Sequence, residues 1–438
     1  MIKPALDHMP PEILAEICWH FCSHCTNDHL SHYPQPNSLA TPDPGKLWEK
    51  PSAEITTGLL SLARTCRVLN NAATPYLYHN IDARGWSEEK VTEFLKGRSQ
   101  LQERSFIHRL TYELDPFPLY TLLCRMPDLQ LLLSLVDRGS FGQTLASKTQ
   151  KTLHDLQYLH LESTSPTHKR DLSTLENLFE MAPNIKTFAI KSGHIEWKGN
   201  PRNSPKGPLA NLTCLKLFNV SFDPLALEEI LKKCDSLESF IYISQRGVSA
   251  RPSNVAFALK KSSSTLRYLE CCWDSIHDAP SVSLLLRSLK TFERLQTLVL
   301  GGDSLSIGIS GNDNATNAFY VKNLDPTSLI ELLPASIVEV GIDSKHLHED
   351  MYQPMVVLCQ AKQAGSFPEL RTFLQSNFDA SEVPYTLGDL NQLSERYGVS
   401  FKQEARSVFP LPVARPARVI CRVPDRRRPL RAMTQTSP

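Results

Sequence analysis

Seven hexapeptides with apolar residues at the first, fourth and sixth places recur along this 438-residue chain, and their recurrence restricts the fold more than any other feature. They run Leu156–Leu161, Ile185–Ile190, Leu212–Leu217, Leu237–Tyr242, Leu266–Cys271, Leu295–Leu300 and Ile337–Ile342, with a weaker copy at Leu370–Gln375 and an earlier one beginning at Leu129. From Leu129 to Leu295 the start-to-start steps are 27, 29, 27, 25, 29 and 29 residues. A period of this size marks a stack of small units, each too small to bury its own apolar face. Between copies the apolar spacing turns helical, at Leu175, Leu178, Phe179 and Ala182, at Leu227, Ile230, Leu231 and Cys234, and at Val282, Leu285, Leu286 and Leu289. Each unit is therefore one strand and one helix, which predicts an α/β solenoid with parallel strands inside and helices outside. The step from Leu295 to Ile337 is 42 residues, and its excess contains Gly301, Gly302, Gly308 and the run Gly311-Asn312-Asp313-Asn314, an inserted loop.

The first eighty residues obey a different rule. Pro10-Pro11-Glu12-Ile13-Leu14 has the chemistry of a helix start, because a proline in the first turn loses no needed hydrogen bond and Glu12 meets the positive end of the dipole. Leu14, Ile17 and Phe21 then make one apolar stripe. Residues 23–53 hold five prolines and no period, so they read as a disordered insert. Helical spacing resumes at Leu59, Leu62, Cys66 and Leu69 and stops at Thr74-Pro75. Two short amphipathic helices cannot bury both faces alone, so a partner or the rest of the chain must cover them.

Met9-Pro10-Pro11-Glu12-Ile13-Leu14, followed by Leu59-Leu60-Ser61-Leu62-Ala63-Arg64-Thr65-Cys66-Arg67 and by Ala73-Thr74-Pro75-Tyr76-Leu77-Tyr78, resembles the F-box motif of fungal F-box proteins. The resemblance implies that Pro10, Pro11, Ile13, Leu14, Ile17, Leu59, Leu62, Cys66 and Arg67 meet a Skp-type adaptor, and a cullin through it. The long insert between the two halves departs from that family, as does Leu69 where a bulky aromatic residue is common. The L-x-x-L-x-L pattern resembles irregular leucine-rich repeats. Here the departure is Thr164, Gly193, Val220, Gln245, Asp274 and Asp303 where an Asn or Cys is usual. Residues alternating with the core positions should line the concave face: Tyr158, His160, Glu162, Lys191, Lys216, Phe218, Tyr268, Glu270 and Asp343. Aromatic groups supply area and charges set register, so this surface suits a protein substrate.

Composition narrows the function classes. Hydrophobic residues are 41% and charged residues 21%, the balance of a globular chain, and the net charge of +1 selects no anionic partner, so nucleic acid is not expected. The charge is uneven: residues 407–438 carry seven arginines and one aspartate, net +6, which leaves the first 406 residues at −5. That basic, proline-studded tail is read as disordered. Eleven cysteines, mostly scattered, indicate a reducing compartment, cytoplasmic or nuclear, and no run approaches the ~20 apolar residues of a membrane span. No nucleophile elbow, phosphate loop or zinc-protease motif occurs, so neither catalytic residues nor cofactors are expected. Cys18, Cys22 and Cys25 with His20, His24, His29 and His32 are spaced too tightly for a standard zinc finger, and His346-Leu347-His348-Glu349 reads as a solvated turn.

The expected organisation is thus a helical F-box-like module over 1–85, an irregular leucine-rich-repeat-like solenoid over 86–406 and the tail 407–438. The expected function is the substrate receptor of a Skp-cullin ubiquitin ligase, with a repeat scaffold lacking ligase coupling as the alternative.

Overall fold

The computed structural model describes residues 9–22, 53–98, 107–113, 119, 122–135, 152–163, 169–196, 198, 209–244, 252–273, 288–301, 326–343, 352–376, 392 and 395–404. Most of the proline-rich insert, the Gly-rich loop after Gly301 and the basic tail lie outside them, as do Val282, Leu285, Leu286, Cys25 and His346.

Among the described residues thirteen strands form one parallel sheet: β1 (Asn80–Arg84), β2 (Arg109–Glu113), β3 (Leu131–Leu135), β4 (Tyr158–Glu162), β5 (Lys169–Asp171), β6 (Thr187–Glu196), β7 (Cys214–Phe222), β8 (Ser239–Ser244), β9 (Tyr268–Trp273), β10 (Thr297–Gly301), β11 (Glu339–Asp343), β12 (Thr372–Ser376) and β13 (Ser400–Glu404). Twelve of them pair in strict sequence order, and β5 pairs only with the far half of β6. The chain is α/β, and the order is that of stacked repeats, in which every unit touches its neighbours in sequence.

The strands start in register. Tyr158, Thr187, Cys214, Ser239, Tyr268, Thr297, Glu339, Thr372 and Ser400 lie side by side across nine strands. One rung of backbone hydrogen bonds fixes this alignment. The carbonyl just before each strand accepts two N–H groups from the next unit, as Gln157 does from Lys186 (2.9 Å) and Thr187 (3.0 Å), and Arg267 from Gln296 (2.8 Å) and Thr297 (3.0 Å). The 42-residue step leaves the rung intact, since Val338 and Glu339 donate to Gln296 at 2.8 and 2.9 Å. An insertion that leaves at one edge and returns to the same rung costs the stack nothing in register.

The first, fourth and sixth residues of the copies make the core. Leu156, Leu159 and Leu161, Leu212, Leu215 and Leu217, and Leu266, Leu269 and Cys271 are all buried in one continuous cluster. Earlier copies, less plain in sequence, extend it: Ile107, Leu110 and Tyr112 for β2, with Ile81 and Ala83 for β1. The sheet thus begins at Asn80, inside the stretch that sequence assigned to the helical module. On its other side the core is closed by α5 (Glu176–Met181) after a 3-10 turn, α6 (Pro224–Lys233), α7 (Pro252–Ala258), α8 (Pro326–Leu332) and α9 (Tyr352–Gln363). Pro224 opens α6, Asp223 caps it by accepting from the Leu225 N–H at 2.8 Å, and Ala226, Leu227, Ile230 and Leu231 are its buried face. Residues 288–296 before β10 form turns, and most of the helical spacing expected ahead of them lies outside the described residues. Gly398, with φ +62°, ends the last helical turn before β13.

Sequence did not foresee the paired left-handed residues Ser192 (φ 61°) and Asn219 (φ 51°) in β6 and β7. Each lies one residue beyond the aligned pair Lys191 and Phe218, and each shifts the inward phase by one, from Ile190 to Ile195 and from Leu217 to Val220. The shift lets both strands run on past their neighbours and gives β5 an edge to pair with.

Near the other end, Gly301 is packed against β9. A Cβ there would sit 2.7 Å from the Cys272 Cα, well inside any tolerated contact. Gly301→Ala is therefore expected to destabilise the chain by about 1–3 kcal/mol, read as a lower urea midpoint, with Gly365→Ala, whose Cβ meets no atom, a control that reports only backbone strain.

Three helices precede the sheet: α1 (Pro11–His20), α2 (Ala53–Thr65) and α3 (Arg67–Leu77), followed after β1 by α4 (Glu88–Arg98). The first three close a small separate core of Cys18, Cys22, Leu59, Ala63 and Ala73. Only Tyr78 and His79 separate α3 from β1, and the His79 carbonyl accepts from His108 and Arg109 at 3.1 and 2.9 Å. The Cys22 thiol reaches His79 Nδ1 at 3.7 Å, so the end of α1 is tied to the first strand. The helical module is thereby joined to one edge of the sheet.

Candidate interaction surfaces

On α1 the buried stripe is Leu14 and Cys18, continued by Cys22. It is not the expected Leu14, Ile17 and Phe21. Steps of four residues drift slowly round a helix, and thiols are small enough to let α1 approach Ala63 and Ala73 closely. Burial accordingly raises the pKa of the Cys18 thiol. The larger side chains turn outward: Ile13 is 49% exposed, Trp19 and Phe21 are exposed, and Ile17 is half-buried. Phe21 lies over Gly58 of α2, where a Cβ would stand 3.1 Å from its ring.

On α2, Leu59 is buried, Leu62 half-buried and Leu60 exposed. The Cys66 thiol caps α3 by accepting from the Leu69 N–H at 3.5 Å, and Asn70 Nδ2 donates to the Ala63 carbonyl at 2.8 Å, which locks the α2–α3 corner. Arg67 and Val68, just after the cap, are exposed.

Of the nine residues expected to meet an adaptor, Pro10, Pro11, Ile13 and Arg67 are exposed, and Ile17, Leu62 and Cys66 are half-buried. Leu14 and Leu59 correct the expectation: both face inward and hold the helices together. Leu60 and Val68, which the sequence reading did not single out, are exposed as well. The signal for both was available, since each sits about 100° round its helix from a buried leucine.

The inner face of the sheet also departs from expectation. Tyr158, His160, Lys216, Phe218 and Glu270 were expected on an open mixed surface, and all five are buried. Leu131, Leu133, Tyr158 and Ala189 form a second apolar cluster on this face, so its centre behaves as a core. Some polar groups there meet one another. Tyr268 Oη donates to Glu270 Oε2 at 2.6 Å, and half-buried Lys191 pairs with half-buried Glu162 at 2.9 Å, with His160 Nε2 3.9 Å from the same carboxylate. Asp343 keeps its register position beside Gly301 on β11.

Lys216 is a buried cation on the same face. It is 2% exposed, stands between Ala189 and Ile241 on the adjacent strands, and has no carboxylate within ion-pairing distance among the described residues. Desolvation lowers its pKa below the usual 10.5, the nearby Cys214 acting weakly in the opposite sense.

Open recognition chemistry therefore lies on the helical module and along the rims of the sheet. Among the described residues no cluster of His, Cys, Asp or Glu is arranged to hold a metal, and no helix is long and apolar enough to cross a membrane. No family model matches the chain, and no curated protein matches it. The class is set by geometry alone: an α/β stack of repeats with a small helical module fixed at one edge.

Proposed function

We propose that this chain is the substrate receptor of an F-box type ubiquitin ligase, with α1–α3 seated on a Skp-type adaptor, a cullin recruited through it, and a protein substrate held by the leucine-rich-repeat-like stack. The observation that carries this reading is the set of large apolar side chains left exposed on a module with a very small core: Ile13, Trp19, Phe21, Leu60 and Val68. Singly exposed apolar residues are ordinary, but several on three short helices mark a face that another polypeptide completes.

The receptor would act by proximity, holding its substrate at high effective concentration beside the ubiquitin-loading enzymes without a catalytic side chain of its own. The two-residue link between α3 and β1 suits that role, because a short joint limits the distance between adaptor and substrate.

The alternative is a repeat scaffold without ligase coupling, and the burial of Leu14 and Leu59 is the observation that favours it. Co-expression of the full chain with a tagged Skp-type adaptor separates the two. Recovery of the chain together with adaptor and cullin is the expected result; an adaptor eluate free of the chain would establish the scaffold instead.

A further inference from the structure

We propose that Ser221, His194 and Glu196 form a serine-nucleophile site that cleaves activated carboxylic esters by acyl transfer. The three residues lie on the extensions by which β6 and β7 outrun their neighbours, on the face opposite the main core. Coupling to a ubiquitin ligase uses none of them, so this activity goes beyond the receptor reading and stands or falls separately.

The backbone puts them there. Had the alternation set by Ile190 and Leu217 continued, His194, Glu196 and Ser221 would point into the core. The left-handed residues Ser192 and Asn219 reverse it. Ile195, Val220 and Phe222 become the buried positions, and His194, Glu196 and Ser221 come out half-buried on the other face. Irregularities of this kind re-aim side chains and gather beside active sites.

His194 and Ser221 are direct partners in the parallel register, and His194 Nδ1 stands 3.2 Å from Ser221 Oγ. Glu196, two residues along β6, shares the face, and its Oε1 lies 3.4 Å from His194 Nε2. Lys169 of β5 and Lys198 reach the same carboxylate at 3.0 and 3.1 Å, and their hydrogen bonds hold Glu196 below the usual carboxylate pKa. Asp171 of β5 anchors the Lys198 backbone by accepting its N–H at 2.9 Å. An ionised carboxylate beside Nε2 selects the tautomer that carries its proton there, which leaves Nδ1 as an acceptor for the Ser221 hydroxyl. A hydroxyl, a base within hydrogen-bond reach and a carboxylate that orients the base are the parts of an activated nucleophile. The His194 side chain is 28% exposed, so a dissolved ester can reach the pair.

Ser221 Oγ adds to the ester carbonyl carbon as His194 Nδ1 takes its proton, and the tetrahedral adduct expels the alkoxide, which leaves with that proton as an alcohol. Water then adds to the acyl-serine in the same way, releasing a carboxylic acid and restoring the hydroxyl. Two ammonium groups share the charge of Glu196, which weakens its support of the imidazolium. Esters with good leaving groups are therefore the substrate class, and amides are not.

Turnover of p-nitrophenyl acetate and labelling by a biotinylated fluorophosphonate, from which Oγ displaces fluoride, test this on the full-length chain. The expected result is saturable release of nitrophenolate and one adduct, which peptide mass spectrometry places on Ser221. Ser221→Ala should abolish the adduct, and Ser221→Ala and His194→Gln should each lower kcat by about a hundredfold at an unchanged melting temperature. Glu196→Gln should lower kcat by about tenfold with KM unchanged, as a positioning residue would. Labelling only at other residues, nitrophenolate release that survives Ser221→Ala, or neither turnover nor adduct would overturn the proposal.

Discussion

Ile13→Asp is expected to reduce capture of a Skp-type adaptor by more than about thirtyfold while leaving the melting temperature of the chain within experimental error, whereas Leu14→Asp should unfold the helical module. The two residues are neighbours in sequence and opposite in environment. Ile13 is 49% exposed, so an aspartate there stays hydrated in the free chain and is desolvated only when a partner covers it. Leu14 is 2% exposed, and a carboxylate in its place is buried without a counter-charge at a cost of about 4 kcal/mol or more. Pull-down of the adaptor, with circular dichroism melts of the same preparations, reads both effects. Retained capture by Ile13→Asp and Leu60→Asp together would remove the proposed docking face, and an unchanged melt for Leu14→Asp would contradict the packing of α1.

Lys216 supplies the second large effect. Its amine titrates below 10.5 in the folded chain and near that value in the unfolded one, so between the two pKa values the unfolded chain binds the extra proton. Native stability therefore rises with pH across that window, by up to about 1.4 kcal/mol per pH unit, and the full penalty is present below the folded pKa. Cys214 on the same strand is the nearest titratable neighbour; His160 and Glu270 stand two strands away on either side in the same row. Lys216→Met keeps the length of the side chain and removes the charge. It should raise the urea midpoint at neutral pH and flatten the pH dependence of stability on the alkaline side. A variant less stable than the parent at neutral pH would mean that the amine is satisfied in the folded chain.

The repeat was legible because one physical rule generates it: the residues three and five places after the first apolar position are two apart in the strand and point the same way, so L-x-x-L-x-L translates directly into a buried ladder. Where other residues occupied those places the rule was hard to see. Tyr112 and Ala83 fill core positions of β2 and β1 that leucine fills elsewhere, and the first two strands were missed. The phase slip at Ser192 and Asn219 depends on left-handed backbone, which Asn tolerates better than most residues but which Ser does not announce. The inner face misled for a different reason. Alternation tells which side of the sheet a residue faces and carries no information about what lies on that side, so Lys216 and Glu270 read as surface charges although both are buried. On α1 the stripe was misplaced by one position because Cys18 and Cys22 were weighed as thiols and not as small apolar packing residues.

Amide hydrogen exchange along the full chain, with and without a purified Skp-type adaptor, tests most directly whether the helical module is half of an interface. Slower exchange across Pro11–Leu77 on adding the adaptor, with β6 to β10 unchanged, is the result expected of a receptor whose repeats stay free for a substrate. Unaltered exchange in α1–α3 at saturating adaptor, or protection confined to the strands, would contradict it.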